Sequence, residues 1–184
     1  MRLPILQAAV IAIAVSAPAS AWSSLPNCQA LLTQASKNDL SLPVDKFDQD
    51  PTMGWRALDA AGCTAEAAVL VERYLIGYQS NLRSLKWHHA QLLAMTGKSS
   101  EAIAAAREAI NPDESMQHPA FKWNAYVLAT IAFLEGNIGE LKRQAQVIQS
   151  GVAAEPMNQV NLTVVLSLQR CAGKPYRLAY ECPA

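Results

Sequence analysis

Apolar residues recur at three- and four-residue spacing through most of this chain, and start and stop signals cut the run into helices. A first helix opens at Pro26 with Leu31 and Leu32 on one face. Asp50-Pro51 supplies an N-cap followed by proline at the first helical position, and Gly62 ends that helix. Thr64 is the expected cap of the next, whose apolar residues are Ala67, Val71, Tyr74, Leu75 and Tyr78. Asn81 starts a helix that runs to Thr96 and stops at Gly97. Ser99 caps Glu101 to Ile110, and Asn111-Pro112 ends it. Pro119 opens a long helix that stops at Gly136, and Asn137 to Ser150 follows, closed by Gly151. Pro156 opens a last helix with Val160, Val164 and Leu168 at helical spacing. No segment alternates in the manner of a strand bounded by turns, so the pattern predicts an all-α chain. Only Asn38 to Gln49 lacks a strong period. Its apolar residues Leu40, Leu42, Val44 and Phe47 predict an extended arm packed across the first hairpin.

One local pattern occurs three times. Gly62-Cys63-Thr64-Ala65-Glu66-Ala67, Gly97-Lys98-Ser99-Ser100-Glu101-Ala102 and Gly136-Asn137-Ile138-Gly139-Glu140-Leu141 each read Gly, three residues, Glu, then Ala or Leu. The glycines lie 35 and 39 residues apart. That period marks a stacked array of helical hairpins, and the short links at each glycine make the two helices of a pair antiparallel. Such arrays are binding scaffolds by default.

On these residues the chain resembles the tetratricopeptide-repeat family, over about Asp50 to Ser150. The best match is Trp87 to Ile110: Ala90 stands at the small crossing position of the first helix, Gly97 is the turn, and Ala102 and Ala109 are small positions of the second. Ala129, Gly136 and Ala145 fit in the third copy, where Leu141 and Ile148 replace small residues. Gly62 and Ala67 fit in the first, where Trp55 and Tyr74 are larger than the pattern asks. The resemblance implies about three hairpins in a superhelix over residues 50–151, preceded by an N-terminal helix and arm (22–49) and followed by a capping helix and disulfide-closed tail (152–184). It also implies a concave surface lined by the first helix of each pair. Arg56 and Asp59 fall there from the first copy, Ser84, Trp87 and Gln91 from the second, and Trp123, Tyr126, Thr130 and Phe133 from the third. Arg56, Trp87, Gln91, Trp123, Tyr126 and Thr130 are the expected partner-binding residues. A groove of aromatics with a few polar groups suits peptides. The same stripe also reads as packing between repeats or beneath the last helix.

Residues 1–21 carry the marks of a signal peptide: Arg2, an apolar run from Leu3 to Val15, and Ala19-Ser20-Ala21 as a cleavage site. The run is too short to anchor in a bilayer, and cleavage would leave 163 residues beginning at Trp22, with 14 basic and 15 acidic side chains. That balance, with no basic block, argues against a nucleic-acid partner. Cys28, Cys63, Cys171 and Cys182 all survive cleavage. An even number of cysteines in an exported chain predicts two disulfides, with three possible connectivities, and loop closure favours Cys28–Cys63 with Cys171–Cys182.

The candidate chemistry is sparse. His88 and His89 point about 100° apart on a helix and have only Leu92 and Leu93 at i+4, so they read as packing or surface residues rather than metal ligands. His118 precedes a proline in a loop. Asp48, Asp50 and Asp59 faintly resemble a calcium loop, but Met53 stands where the turn glycine belongs. Glu66, Glu101 and Glu140 sit on different hairpins, so they are not an acid–base pair. There is no G-x-S-x-G, no S-x-x-K in the mature chain and no phosphate loop. The expectation is a periplasmic or secreted scaffold that binds a protein or peptide, without catalytic activity, cofactor, metal or lasting membrane anchor. The alternative is a periplasmic immunity or inhibitor protein that neutralises a toxin or hydrolase. A small-molecule carrier using the aromatic groove is a third reading.

Overall fold

A computed structural model describes residues 26–77 and 82–183 of the chain. The expected signal peptide, Trp22, Tyr78 and Asn81 lie outside the described residues. Within them the chain is all-α. The helices are α1 (Cys28–Asn38), α2 (Val44–Gln49), α3 (Gly54–Ala60), α4 (Thr64–Gly77), α5 (Arg83–Met95), α6 (Ser99–Glu108), α7 (Glu114–Gln117), α8 (Trp123–Leu134), α9 (Ile138–Ser150), α10 (Met157–Arg170) and α11 (Tyr176–Tyr180). The pairs α3 with α4, α5 with α6, and α8 with α9 pack together as antiparallel neighbours, and α9 packs on α10 as extensively as α3 on α4. Further contacts of α4 with α5, α6 with α8 and α9 with α10 join these pairs in sequence order. No helix among the described residues is long and apolar enough to cross a membrane.

The repeated six-residue pattern is the hairpin turn itself. Gly62, Gly97 and Gly136 have φ of +83°, +82° and +72°, the left-handed conformation that ends a helix and that only glycine adopts without cost. The bonding around them is the same each time. Cys63 N–H donates to the Leu58 carbonyl (2.9 Å), Lys98 to Leu93 (3.0 Å) and Asn137 to Ala132 (2.8 Å). The glutamate four residues on then sits in the first turn of the following helix, where its charge complements the helix dipole.

Alanines make the close pairing possible. Ala67, Ala90, Ala102, Ala109, Ala129 and Ala145 are all buried. Leu141 and Ile148, the two residues that depart from the small pattern, are completely buried as well and fill the space between α9 and its neighbours. A single apolar cluster runs from Leu32 in α1 to Ala179 in α11.

Both disulfides form as loop closure favours: Cys28–Cys63 ties α1 to the α3–α4 turn, and Cys171–Cys182 closes the tail. Each contributes about 2–4 kcal/mol by restricting the unfolded chain. Two such bridges and no free thiol among the described cysteines indicate a non-reducing environment outside the cytoplasm.

Four local expectations need correction. The arm is half helical: Pro43 opens α2, and Phe47 is buried against the Tyr74 ring at 3.8 Å, so tertiary packing makes a helix where periodicity was too short to show one. Asp50 does not cap a helix starting at Pro51. Its carboxylate instead accepts from Thr52 N–H (2.9 Å) and Thr52 Oγ1 (2.8 Å), holding a turn, and α3 begins at Gly54. The helix expected from Pro119 begins at Trp123, after the short α7. Ser99 lies inside α6 rather than capping it, with Lys98 at the cap position.

Ala102 is completely buried at the α5–α6 contact, whereas Ser100 is exposed. Ala102→Leu should therefore overpack the crossing and lower stability by about 1–3 kcal/mol. Ser100→Leu should change it little, and urea denaturation of the two variants makes the comparison.

Candidate functional site

The polar centre of the molecule is a buried carboxylate, Asp48, at the end of α2. The chain reaches it by a tight path. The Asp50 turn reverses direction, and Gly54, at φ +56°, packs its backbone directly on the Phe47 carbonyl, where a Cβ would clash. This lays α3 beneath α2, so that Trp55 Nε1 donates to Asp48 Oδ1 at 3.0 Å. From α5, Ser84 and His88 lie one turn apart on the same face and meet the same carboxylate. His88 Nδ1 is 2.6 Å from Oδ1 and Ser84 Oγ is 3.4 Å from Oδ2. Gln49 Nε2 donates to Oδ2 at 2.8 Å. Burial pushes the Asp48 carboxyl up, but the hydrogen bond and charge of His88, with the Trp55 and Gln49 donors, outweigh it and hold the group below its ordinary value.

An ionised Asp48 fixes the imidazole. Nδ1 carries its proton toward the carboxylate, leaving Nε2 as the ring nitrogen for other partners. Arg56 is fixed as well. Its Nε donates to the Asp48 carbonyl at 2.5 Å, and its guanidinium lies 4.3 Å from the centre of the Trp55 ring. Arg56 and His88 line a cleft of about 430 Å³, whose walls also include Asp59, Gln91, Met95 and Tyr180.

Tyr180 comes from the tail, which α11 folds back onto α5 and α10. Tyr176 is buried against Phe133 (ring centres 5.9 Å apart) and Tyr180 (5.7 Å), and Arg177 Nη2 donates to Thr64 Oγ1 at 2.7 Å. The Tyr176 hydroxyl has no partner at hydrogen-bonding geometry, although Gln91 and Thr130 both act on it.

The expected partner-binding residues divide accordingly. Arg56 and Gln91 line the cleft together with Asp59. Trp87, Tyr126, Thr130 and Phe133 are buried and do not form an open aromatic groove. The Trp87 ring meets Tyr126 at 5.0 Å and Trp123 at 6.0 Å, both edge-on. Tyr126 Oη accepts from Gln91 at 3.3 Å, and burial with the neighbouring tyrosines pushes its phenol well above the ordinary value, so it stays neutral. The physical reason is the tail: α11 covers the face that the repeat register leaves open. Trp123 is half-buried, with Nε1 donating to the Ala109 carbonyl at 2.7 Å, and it borders a different cleft alongside Ser84.

Asp48, Trp55, His88 and Tyr180 were missed as site residues. The one visible signal was Ser84 and His88 at i, i+4; their carboxylate lies 40 residues from His88 in the chain. The Asp48, Asp50 and Asp59 side chains do not converge, since they serve His88, Thr52 and Thr64 respectively. Cys28, Cys63 and Glu66 approach one another with metal-like spacing, but both sulfurs are spent in the disulfide. The groove between α4, α5 and α6, about 320 Å³, carries Lys86–Glu108 (3.5 Å) and Lys98–Glu101 (3.4 Å) pairs and His89, whose imidazole is pushed by burial below its ordinary value against the pull of Glu72, Glu108 and Glu101.

Compared with protein-family models, curated proteins and solved structures, the chain matches none.

Two predictions follow from burial and charge. Tyr126→Ala should cost about 3–5 kcal/mol in denaturant unfolding, the scale of a buried aromatic rather than of a groove residue. Asp48 is bound more tightly as a carboxylate in the folded state, so its contribution is present above its unfolded value and is lost as pH falls through the lower folded one. Melting temperature should therefore drop between pH 5 and pH 2 more steeply for the wild type than for Asp48→Asn, which starts lower.

Proposed function

We propose that the chain is an exported, periplasmic scaffold of tetratricopeptide-like hairpins that binds a protein or peptide partner and has no catalytic role. The observation that carries this reading is the fixed state of Arg56 and His88. Both are held by Asp48, one through its carbonyl and one through its carboxylate, and both line an open cleft. Side chains already immobilised lose little entropy on binding, which is how a polar cleft gains affinity. Arg56 stacked on Trp55 is the kind of Arg–aromatic anchor that dominates interfaces.

The lining favours binding over group transfer. An Asp–His pair activates a nucleophile, and acyl transfer needs a serine, threonine or cysteine in reach. None lines this cleft among the described residues; its polar groups are Arg56, Asp59, His88, Gln91 and Tyr180. The succession of hairpins, the left-handed glycine turns and the buried alanines support the tetratricopeptide-like arrangement.

A photo-cross-linking residue in place of Ala60, exposed on the cleft rim, tests the proposal in the protein's own host. The expected result is a partner adduct from Ala60, absent from a control at the exposed Ile138. Arg56→Gln should weaken capture by about 2 kcal/mol or more while melting stays near wild type. Equal adducts at Ala60 and Ile138, or capture indifferent to Arg56→Gln, would overturn the assignment.

A further inference from the structure

A second cleft, of about 380 Å³, opens at the starts of α5, α8 and α10. One wall is apolar. Phe121 and Trp123 stand with ring centres 6.2 Å apart and tilted, and Met157, half exposed, completes it. Trp123 is immobile, pinned by its bond to the Ala109 carbonyl and by the edge of Trp87. The other wall holds Arg83. Its Nε is buried with no hydrogen-bond partner, and no carboxylate pairs with the guanidinium among the described residues. A buried donor left without a partner is costly, so an orphan of this kind calls for an explanation.

Two acids line the same cleft, and neither pairs with Arg83 at ion-pair distance, although the Arg83 charge helps hold the Glu114 carboxyl down. Both Glu114 oxygens accept from Asn124 N–H, at 3.2 and 3.1 Å, at the start of α8. Glu155 Oε1 accepts from Met157 N–H at 3.0 Å at the start of α10. Their charge is directed at backbone N–H groups of two helix ends. Burial also pushes the Glu114 carboxyl up, although those backbone bonds pull it down. The cleft thus combines a flat aromatic wall with a guanidinium that no carboxylate pairs at ion-pair distance among the described residues, and whose planar fork matches a carboxylate.

We infer that this cleft binds a small aromatic carboxylate, its ring against Phe121, Trp123 and Met157 and its carboxylate on Arg83. A cleft of this size falls within the usual range for small-molecule sites. The site is separate from the Arg56–His88 cleft and does not depend on a macromolecular partner.

The probes are 2-naphthoate, its uncharged analogue 2-naphthalenemethanol, and decanoate, titrated by calorimetry into the full exported chain. The indole N–H resonance of Trp123, assigned with Trp123→Phe, reports locally. The expected result is that 2-naphthoate binds, shifts that resonance and outcompetes the alcohol by roughly tenfold or more, the worth of one charge-assisted contact. Arg83→Gln should remove that advantage and leave the alcohol's binding unchanged. Wild-type protein alone carries the charge comparison if Arg83→Gln does not fold. Equal binding of acid and alcohol, or no binding of 2-naphthoate at millimolar concentration, overturns the inference. So does a naphthoate affinity unchanged in folded Arg83→Gln. Tighter binding of decanoate than of 2-naphthoate would overturn the aromatic assignment.

Discussion

The architecture rests on how closely its helices approach. Ala67, Ala90, Ala102 and Ala129 bury little area of their own, but each lets a neighbouring backbone come near enough for larger side chains to meet around it. Leu70, Leu85, Val127, Leu141 and Ile148 are then wholly removed from water. Each such residue contributes about 1.5–3 kcal/mol relative to exposure. The crossings would not recur without a turn of fixed shape. The left-handed glycines at 62, 97 and 136 supply it, each with the same bond across it from the residue that follows. Turn and crossing are one constraint: the short link brings two helices together, and the alanine decides whether they can touch.

That constraint has a cost on the inner side of the stack. Trp87, Tyr126, Thr130 and Phe133 are all buried, Trp87 between its neighbours Trp123 and Tyr126 and Phe133 against Tyr176 of the tail. A five-residue helix has no stability of its own, because nucleation alone is unfavourable. Cys171–Cys182 closes the tail into a loop, and Arg170 holds the far end through the carbonyls of Pro183 (2.9 Å) and Cys182 (3.3 Å). Tyr176 then occupies the inner face while Tyr180 reaches the edge of the cleft. Tail and cleft are therefore continuous, and whatever binds beside Tyr180 also touches the element that seals the aromatic core.

The all-α class, the glycine turns and the buried alanines were legible because each has a local signature: helical period, a positive-φ residue, and a small side chain at fixed distance from it. Both disulfide pairs followed from loop length among cysteines that survive the expected cleavage. What could not be read was assembled across distance. Asp48 and His88 are 40 residues apart, and in isolation one resembled part of a calcium loop and the other a packing histidine. Helix α11 is too short to show a period, so the sequence left open whether the aromatic stripe is a groove or is packed away. The arm failed for the same reason: α2 has six residues, and it is the stacking of Phe47 on Tyr74 that makes it helical.

The buried Asp48 connects these levels. A carboxylate inside a helical stack is costly unless every lone pair is used, and here donors from α2, α3 and α5 use them. The requirement fixes Trp55 and His88 for reasons of stability alone. Once Trp55 is fixed, Arg56 beside it has a ring to stack on and a carbonyl to bond, so it too loses its freedom during folding rather than during binding. Folding thus accounts for the rigidity of the cleft, and Arg56 and His88 at its edge need no further ordering. Recognition asks only that Arg56, His88, Gln91 and Tyr180 stay where the core has put them.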